Sequence, residues 1–218
     1  MTESERQRCR LHFDKTPAMR FTGHLDLYRA LERTIRRAGL PLAYSQGFSP
    51  HPKLQLAAAL PLGFTSRAEI ADMWLEQAVD PAHVLTRLQD AAPPGLAFRD
   101  AAPVPAREPT LQQQVAEATY AVDLEDPAPL DLEARIRILL ATPELRRQRR
   151  GKEYDLRPLL TSLDLAGPGR LLMQLSAREG ATGRPEEVLE ALGLDPLAAR
   201  VERTALIFAP RTPDPVTA

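Results

Sequence analysis

Cysteine occurs once in 218 residues, at Cys9, so no internal disulfide can form. A single thiolate is also too few for an iron–sulfur cluster or a zinc–thiolate site, so any cluster chemistry would belong to a partner. Apolar runs of 18 residues or more are missing, and the first ten residues, MTESERQRCR, contain no hydrophobic leader core. The sequence therefore predicts no membrane span and no secretion, with the cytoplasm as the default location. Phosphate-loop spacing is absent. The glycines at Gly167, Gly169, Gly180 and Gly183 lack dinucleotide-binding spacing, and no serine or cysteine nucleophile motif occurs. These gaps argue against ATP-, NAD- or acyl-transfer chemistry.

What is present is the composition of a globular chain, 44% hydrophobic and 26% charged, long enough for one large domain or two small ones. The formal net charge of −1 hides a segregation. Residues 1–66 hold 10 basic and 5 acidic side chains, residues 67–133 hold 4 and 13, and residues 134–218 hold 14 and 11. Two basic regions flank an acidic middle. Such a pattern suits a polyanion gripped by the basic parts, with the acidic part turned away or binding a basic partner, or else a solvated mixed surface.

Residues Arg8 to Phe13 alternate polar and apolar side chains, which predicts a strand. Thr22 can cap a helix from about His24 to Ala38, stopped by Gly39 and Pro41. Leu27, Leu31, Ile35 and Ala38 fall on one side of that helix; Arg29, Arg33, Arg36 and Arg37 fall on the other. Extended segments follow at Leu42–Tyr44, Leu54–Ala59 and 69–75, then a helix opened by Asp80 and Pro81, then a strand at Leu96–Arg99. The order strand, helix, strand, strand, helix, strand is the ferredoxin-like arrangement. Proline, alanine and glutamine without a period across 101–114 mark a linker, bounded at 103–116.

Beyond it the order repeats: a strand at Ala118–Leu124, a helix capped by Asp131, an extended segment near Gly151–Leu156, a strand at Arg170–Ala177, a helix from Pro185 to Gly193, and a strand at Arg200–Phe208. The expectation is an α+β fold of two tandem ferredoxin-like units, 1–102 and 117–210, with a disordered tail at 211–218.

Several motifs together resemble one bacterial family. They are HLDL at His24–Leu27, ERTIRRAGLPLAYS at Glu32–Ser45, GFSPHPK at Gly47–Lys53, PLGFTS at Pro61–Ser66 and the strand AEIADMWL, with weaker likeness in KEYDLRPLL and VERTALIF. The chain resembles the radical SAM-linked proteins, a family of unknown function found beside or fused to a radical-SAM protein. That resemblance implies a radical-SAM protein as partner, which would do any radical chemistry. Gly23 stands where the family usually shows serine, a departure bearing on helix capping.

In the GFSPHPK loop, Gly47 permits an unusual backbone, Pro50 and Pro52 stiffen the chain, and His51 and Lys53 are presented beside Phe48. This suits phosphate or base contact, with Phe48 for stacking. It equally suits a tight connection between two strands. His24 opens the preceding helix. His24 and His51 can act as base and acid in metal-independent RNA cleavage, with Lys53 stabilising developing charge. Alternatively His24 only fixes the helix entry. Two histidines and Asp26 lack a convincing third imidazole, so no metal and no cofactor is expected. His12 and His83 read as ordinary strand and helix residues.

The arginine stripe fits phosphates and carboxylates alike. A second basic stretch holds Arg146, Arg147, Arg149, Arg150 and Lys152 around a turn glycine. Three function classes follow: an RNA-binding accessory protein working with a radical-SAM partner, a metal-independent endoribonuclease, or a protein–protein adaptor.

Overall fold

Cys9, Leu11 and Phe13 are buried on one side of the first strand, β1 (Gln7–Lys15), as their alternation predicts. Lys15 falls in phase with them and is buried too. The computed structural model describes residues 6–105, 107–149 and 151–210. Candidate residue Arg150 and the expected tail at 211–218 lie outside the described residues.

The architecture is mixed α+β, built on a large sheet that is antiparallel at every pairing but one. In the first half, β1 lies between β3 (Thr65–Leu75) and β4 (Leu96–Val104), and β2 (Leu54–Leu56) pairs with β3. Two helices, α1 (His24–Arg37) and α2 (Pro81–Ala91), pack against these strands around Leu11, Leu31, Ile35, Val84 and Leu88. Helix α1 buries Leu27, Leu31 and Ile35 as its apolar stripe predicts, and Gly39, at φ +65°, turns the chain out of it. Its N-cap is Gly23, in extended conformation and without a side-chain cap, in place of the expected Thr22.

A short helix, α3 (Leu111–Gln114), lies within the stretch read as a linker, and β5 (Val115–Leu124) follows at once. Leu111 and Val115 form a small apolar cluster with Ala57 and Ile70 of the first half. Then come α4 (Leu132–Ala141), the strands β6 (Arg146–Arg149) and β7 (Lys152–Asp155), β8 (Leu160–Gly167), β9 (Arg170–Arg178), β10 (Ala181–Thr182), α5 (Pro185–Ala191) and β11 (Ala199–Phe208). The sequence placed an extended segment at Gly151–Leu156. Most of that segment is β7, which pairs with β6 in a separate two-stranded hairpin. The strand that joins the large sheet beside β9 is β8, which the sequence reading missed.

Within the first half the strands run β4-β1-β3-β2, and within the second β11-β5-β9-β8. Leaving aside the separate β6–β7 hairpin and the two-residue β10, which also pairs with β9, both orders are fourth, first, third, second. The halves join where β11 runs parallel to β3, with Glu202 opposite Thr65 and Arg203 opposite Ser66.

The charge segregation seen along the chain is partly cancelled in space. Asp72, from the acidic middle, is buried between Arg8 and Arg10 of β1, with contacts of 2.6 Å and 2.8 Å. Arg6 reaches Glu76 at 3.1 Å. These two acids are held by arginines of the N-terminal segment and so are not free for a basic partner.

Candidate functional site

The seam between β3 and β11 carries charge where a sheet interior ordinarily carries apolar side chains. Arg203, 1% exposed, donates from Nε to Oε1 of Glu69 at 2.9 Å, and to the carbonyl oxygens of Ala59 at 3.1 Å and Ala58 at 3.3 Å. Lys15 donates from Nζ to the carbonyl oxygens of Phe64 at 2.8 Å and Arg20 at 3.2 Å. Burial lowers the Lys15 pKa from 10.5 to about 8, against the pull of Glu69 and with the push of Arg203. At neutral pH two buried cations therefore stand near one carboxylate, Arg203 in contact with Glu69 and Lys15 held by carbonyl oxygens.

Next to this seam a cavity of about 600 Å³ opens between the two halves. The first turn of α1 supplies His24, the connection from β2 to β3 supplies Leu60, Pro61 and Leu62, and β5 supplies Tyr120. The second half also supplies Arg149 at the end of β6, Thr182 of β10, and Gly183, Arg184 and Pro185 leading into α5. Gly183 is packed too closely for a side chain: a Cβ there would lie 3.0 Å from Leu175 Cδ2 and 3.1 Å from the Leu159 oxygen. A smaller cavity of about 200 Å³ shares Ala59, Tyr120 and Thr182 with the first and is bounded by Arg203 itself.

His24 Nδ1 is buried and has no hydrogen-bond partner. Burial lowers its pKa, with Arg203 pushing the same way and Glu69 opposing, so the imidazole is neutral at physiological pH. Tyr120 is almost fully buried, and burial raises its phenol pKa. Arg149 is locked: Nε and one terminal nitrogen grip Glu187 of α5 at 3.1 Å and 2.6 Å, that nitrogen also meets Tyr154 Oη at 2.8 Å, and the other donates to the Thr182 oxygen at 3.0 Å. This clamp ties the β6–β7 hairpin to α5. Burial pushes the Tyr154 phenol up to about 12, with Glu187 adding to the rise. Arg184 is exposed and has no ion-pair partner among the described residues.

The residues singled out in the sequence are distributed as follows. On α1, Arg29 pairs with Asp26 at 3.3 Å, Arg36 approaches Glu32 at 3.9 Å, Arg37 donates to the Ala91 carbonyl of α2, and Arg33 is exposed. In the loop, Gly47 has φ +128° and Phe48 is fully exposed. The His51 backbone N–H donates to Ser45 Oγ at 3.0 Å, and the hydroxyl of Tyr28 donates to the Pro52 oxygen at 3.1 Å, tying the loop base to α1. Lys53 is half-buried and borders a cavity of about 350 Å³ beside Trp74. His51 is exposed and is not among the residues lining the cavity of His24. On the hairpin, Arg146 pairs with Glu144 at 3.1 Å, Arg147 donates to the Arg146 oxygen, and Lys152 is exposed.

The structure thus places His24 and Arg149 at one cavity, and the other described candidates are not among its lining residues. Lys15, Glu69, Tyr120, Arg184 and Arg203 were missed. A signal for three of them was present: Lys15, Glu69 and Arg203 each sit in phase with the buried residues of an apolar strand.

Three exposed apolar side chains, Phe21, Leu25 and Leu62, belong to segments at this opening. Arg20 joins those segments, donating from Nε to the Gly63 oxygen at 2.9 Å and accepting the Gly63 N–H at 3.0 Å. Among the described residues, no cluster of His, Cys, Asp or Glu is arranged to hold a metal ion, and no helix is long and apolar enough to cross a membrane.

No curated protein matches the chain. Solved structures similar to it include an archaeal box H/ACA sRNP Nop10–Cbf5 complex, at 12% identity and TM-score 0.42, covering 89% of this chain and 46% of that one. Others are a Cbf5–Nop10–Gar1 complex, at 8% identity and TM-score 0.46, covering 91% and 48%, and a pseudouridylate synthase, at 15% identity and TM-score 0.40, covering 94% and 66%. The chain spans just under half the length of the first two, and these likenesses are too loose to transfer a fold or a role. Residues 8–185 match the family described as "Uncharacterized protein conserved in bacteria (DUF2344)", and the chain belongs to that family.

Proposed function

We propose that this chain is a binding protein for RNA, acting in the cytoplasm beside a radical-SAM protein rather than as an enzyme on its own. One observation carries the RNA reading: the two basic stretches of the sequence end at the same opening. The first turn of α1 and Arg149 of the β6–β7 hairpin both line the cavity between the halves. From that first turn Arg29, Arg33 and Arg36 follow along the exposed side of α1. Arg146, Arg147 and Lys152 lie on the hairpin with Arg149. A strand of RNA crossing the opening meets cations of both stretches and exposed Phe21 of the segment before α1. The radical-SAM partner is supported by the motif resemblance of His24–Leu27 and Gly47–Lys53.

We also read the two halves as tandem ferredoxin-like units, 1–102 and 117–210, joined by 103–116. The shared strand order, fourth, first, third, second, supports that reading.

The test is fluorescence anisotropy with a labelled single-stranded RNA across a salt series, beside a control protein of matched charge. Binding tighter than the control, with a linear log–log salt dependence, is expected. Binding equal to the control would remove the RNA reading.

The ribonuclease reading keeps one supporting feature, the neutral His24 at the cavity, whose buried Nδ1 has no hydrogen-bond partner. Incubation with RNA in EDTA, wild type against His51→Ala, decides it: cleavage that the variant leaves unchanged counts against the His24–His51 pair.

A further inference from the structure

We infer that the cavity between the halves is a binding site for a single nucleoside 5′-monophosphate unit, its base between the apolar walls and its phosphate at Arg184. The inference rests on the RNA reading only for the source of that unit, which is either an unpaired RNA nucleotide or a free nucleotide.

Three features of the cavity select this chemistry. Its volume of about 600 Å³ lies within the roughly 300–1,000 Å³ typical of small-molecule sites. Its lining includes the apolar side chains of Leu60, Pro61, Leu62 and Pro185 and the Tyr120 ring, which suits a planar base. His24 lines the same cavity, with its Nδ1 screened from it.

The cations have the right arrangement for a phosphate. Arg149 has four of its five N–H donors engaged and held in place, leaving one. Arg184 at the rim has no ion-pair partner among the described residues. Arg203, paired with Glu69, and Lys15 lie buried at the neighbouring seam, while the carboxylates close to Arg149 and Arg184 are Glu187, gripped by Arg149, and Glu186, which feels both arginines. A bare phosphate satisfies the cations and leaves the apolar lining without contacts. An apolar ligand does the reverse.

The experiment is isothermal titration of the full chain with uridine 5′-monophosphate, adenosine 5′-monophosphate, ribose 5-phosphate and inorganic phosphate. Saturable one-to-one binding of the nucleotides, at least about tenfold tighter than either phosphate control, is expected. Arg184→Ala should weaken nucleotide binding about tenfold while Arg137→Ala, an exposed change on α4, leaves it unchanged. Absence of nucleotide binding, phosphate binding as tightly as nucleotide, or an unaffected Arg184→Ala variant overturns the inference.

The source is settled in the same series. If unlabelled nucleotide displaces labelled RNA, the unit belongs to RNA. If nucleotide binds but the chain fails to bind RNA, the RNA reading falls and a free nucleotide is the ligand. If RNA binds while the nucleotides do not, the cavity inference falls and the RNA reading stands.

Discussion

Arg203 on the last strand and Glu69 on β3 lie 134 positions apart in the chain, yet the Arg203 Nε hydrogen donates to Glu69 Oε1 at 2.9 Å in a site that is almost fully buried. The pair sits at the one parallel junction in the sheet, so it joins the two halves by charge. Leaving one member without the other exposes an uncompensated buried charge. Glu69→Ala or Arg203→Ala should therefore each destabilise by about 3–5 kcal/mol, whereas Glu69→Leu combined with Arg203→Met should cost clearly less than the two single changes summed. Urea unfolding followed by circular dichroism measures all three. Additive losses would contradict the pairing.

Lys15 gives a pH signature. Its folded pKa of about 8 lies below the ordinary 10.5, so between those values the unfolded chain binds more protons and stability rises with pH. Below about 8 the whole penalty of burying the charge is present; above 10.5 it has gone. Urea midpoints of wild type and Lys15→Met at pH of about 7.5, 9 and 10.5 should diverge in favour of the wild type as pH rises. A constant difference across the three would refute the shift.

Much of the scaffold was legible in the sequence because its signals are local. Leu27, Leu31 and Ile35 recur at helical spacing, and Cys9, Leu11 and Phe13 at strand spacing, and each is buried as its period requires. Of the β6–β7 hairpin only β7 was legible, as part of an extended segment near Gly151–Leu156; β6 was not, since its residues are all polar or charged and show no apolar face to alternate. Strand β8 was obscured by an irregular register: Leu160 pairs with Leu175 and Ser162 with Gln174, so its apolar residues do not keep a period of two. The charged seam depends on strands distant in the chain. Lys15, Glu69 and Arg203 look like ordinary strand charges until the sheet brings them together, although their inward phase marked each as unusual.

Arg149 acts as a clamp more than as a free cation. Its planar fork grips both carboxylate oxygens of Glu187 and reaches Tyr154 and Thr182, a geometry that an ammonium group cannot copy. Arg149→Lys should destabilise by about 1–3 kcal/mol despite keeping the charge. Amide hydrogen exchange should show faster exchange in the β6–β7 hairpin. Exchange unchanged there would mean that the clamp does not hold it.

Arg33 is the α1 arginine whose exposure and position make it a test of the RNA reading without disturbing the core. Arg33→Glu should weaken RNA binding about tenfold and reduce the salt slope by about 1. Arg137→Glu on α4 provides the same charge change on another helix and should have a clearly smaller effect. Equal effects would indicate attraction by net charge alone.

The central claim is that RNA crosses the opening between the halves. Photocrosslinking with a 4-thiouridine-containing RNA, followed by peptide mapping, tests it most directly. The account predicts crosslinks in residues 20–25, 59–62, 146–149 and 180–185, the segments around that opening. Crosslinks confined to the far end of the second half, at residues 163–172 of the β8–β9 hairpin, would contradict it.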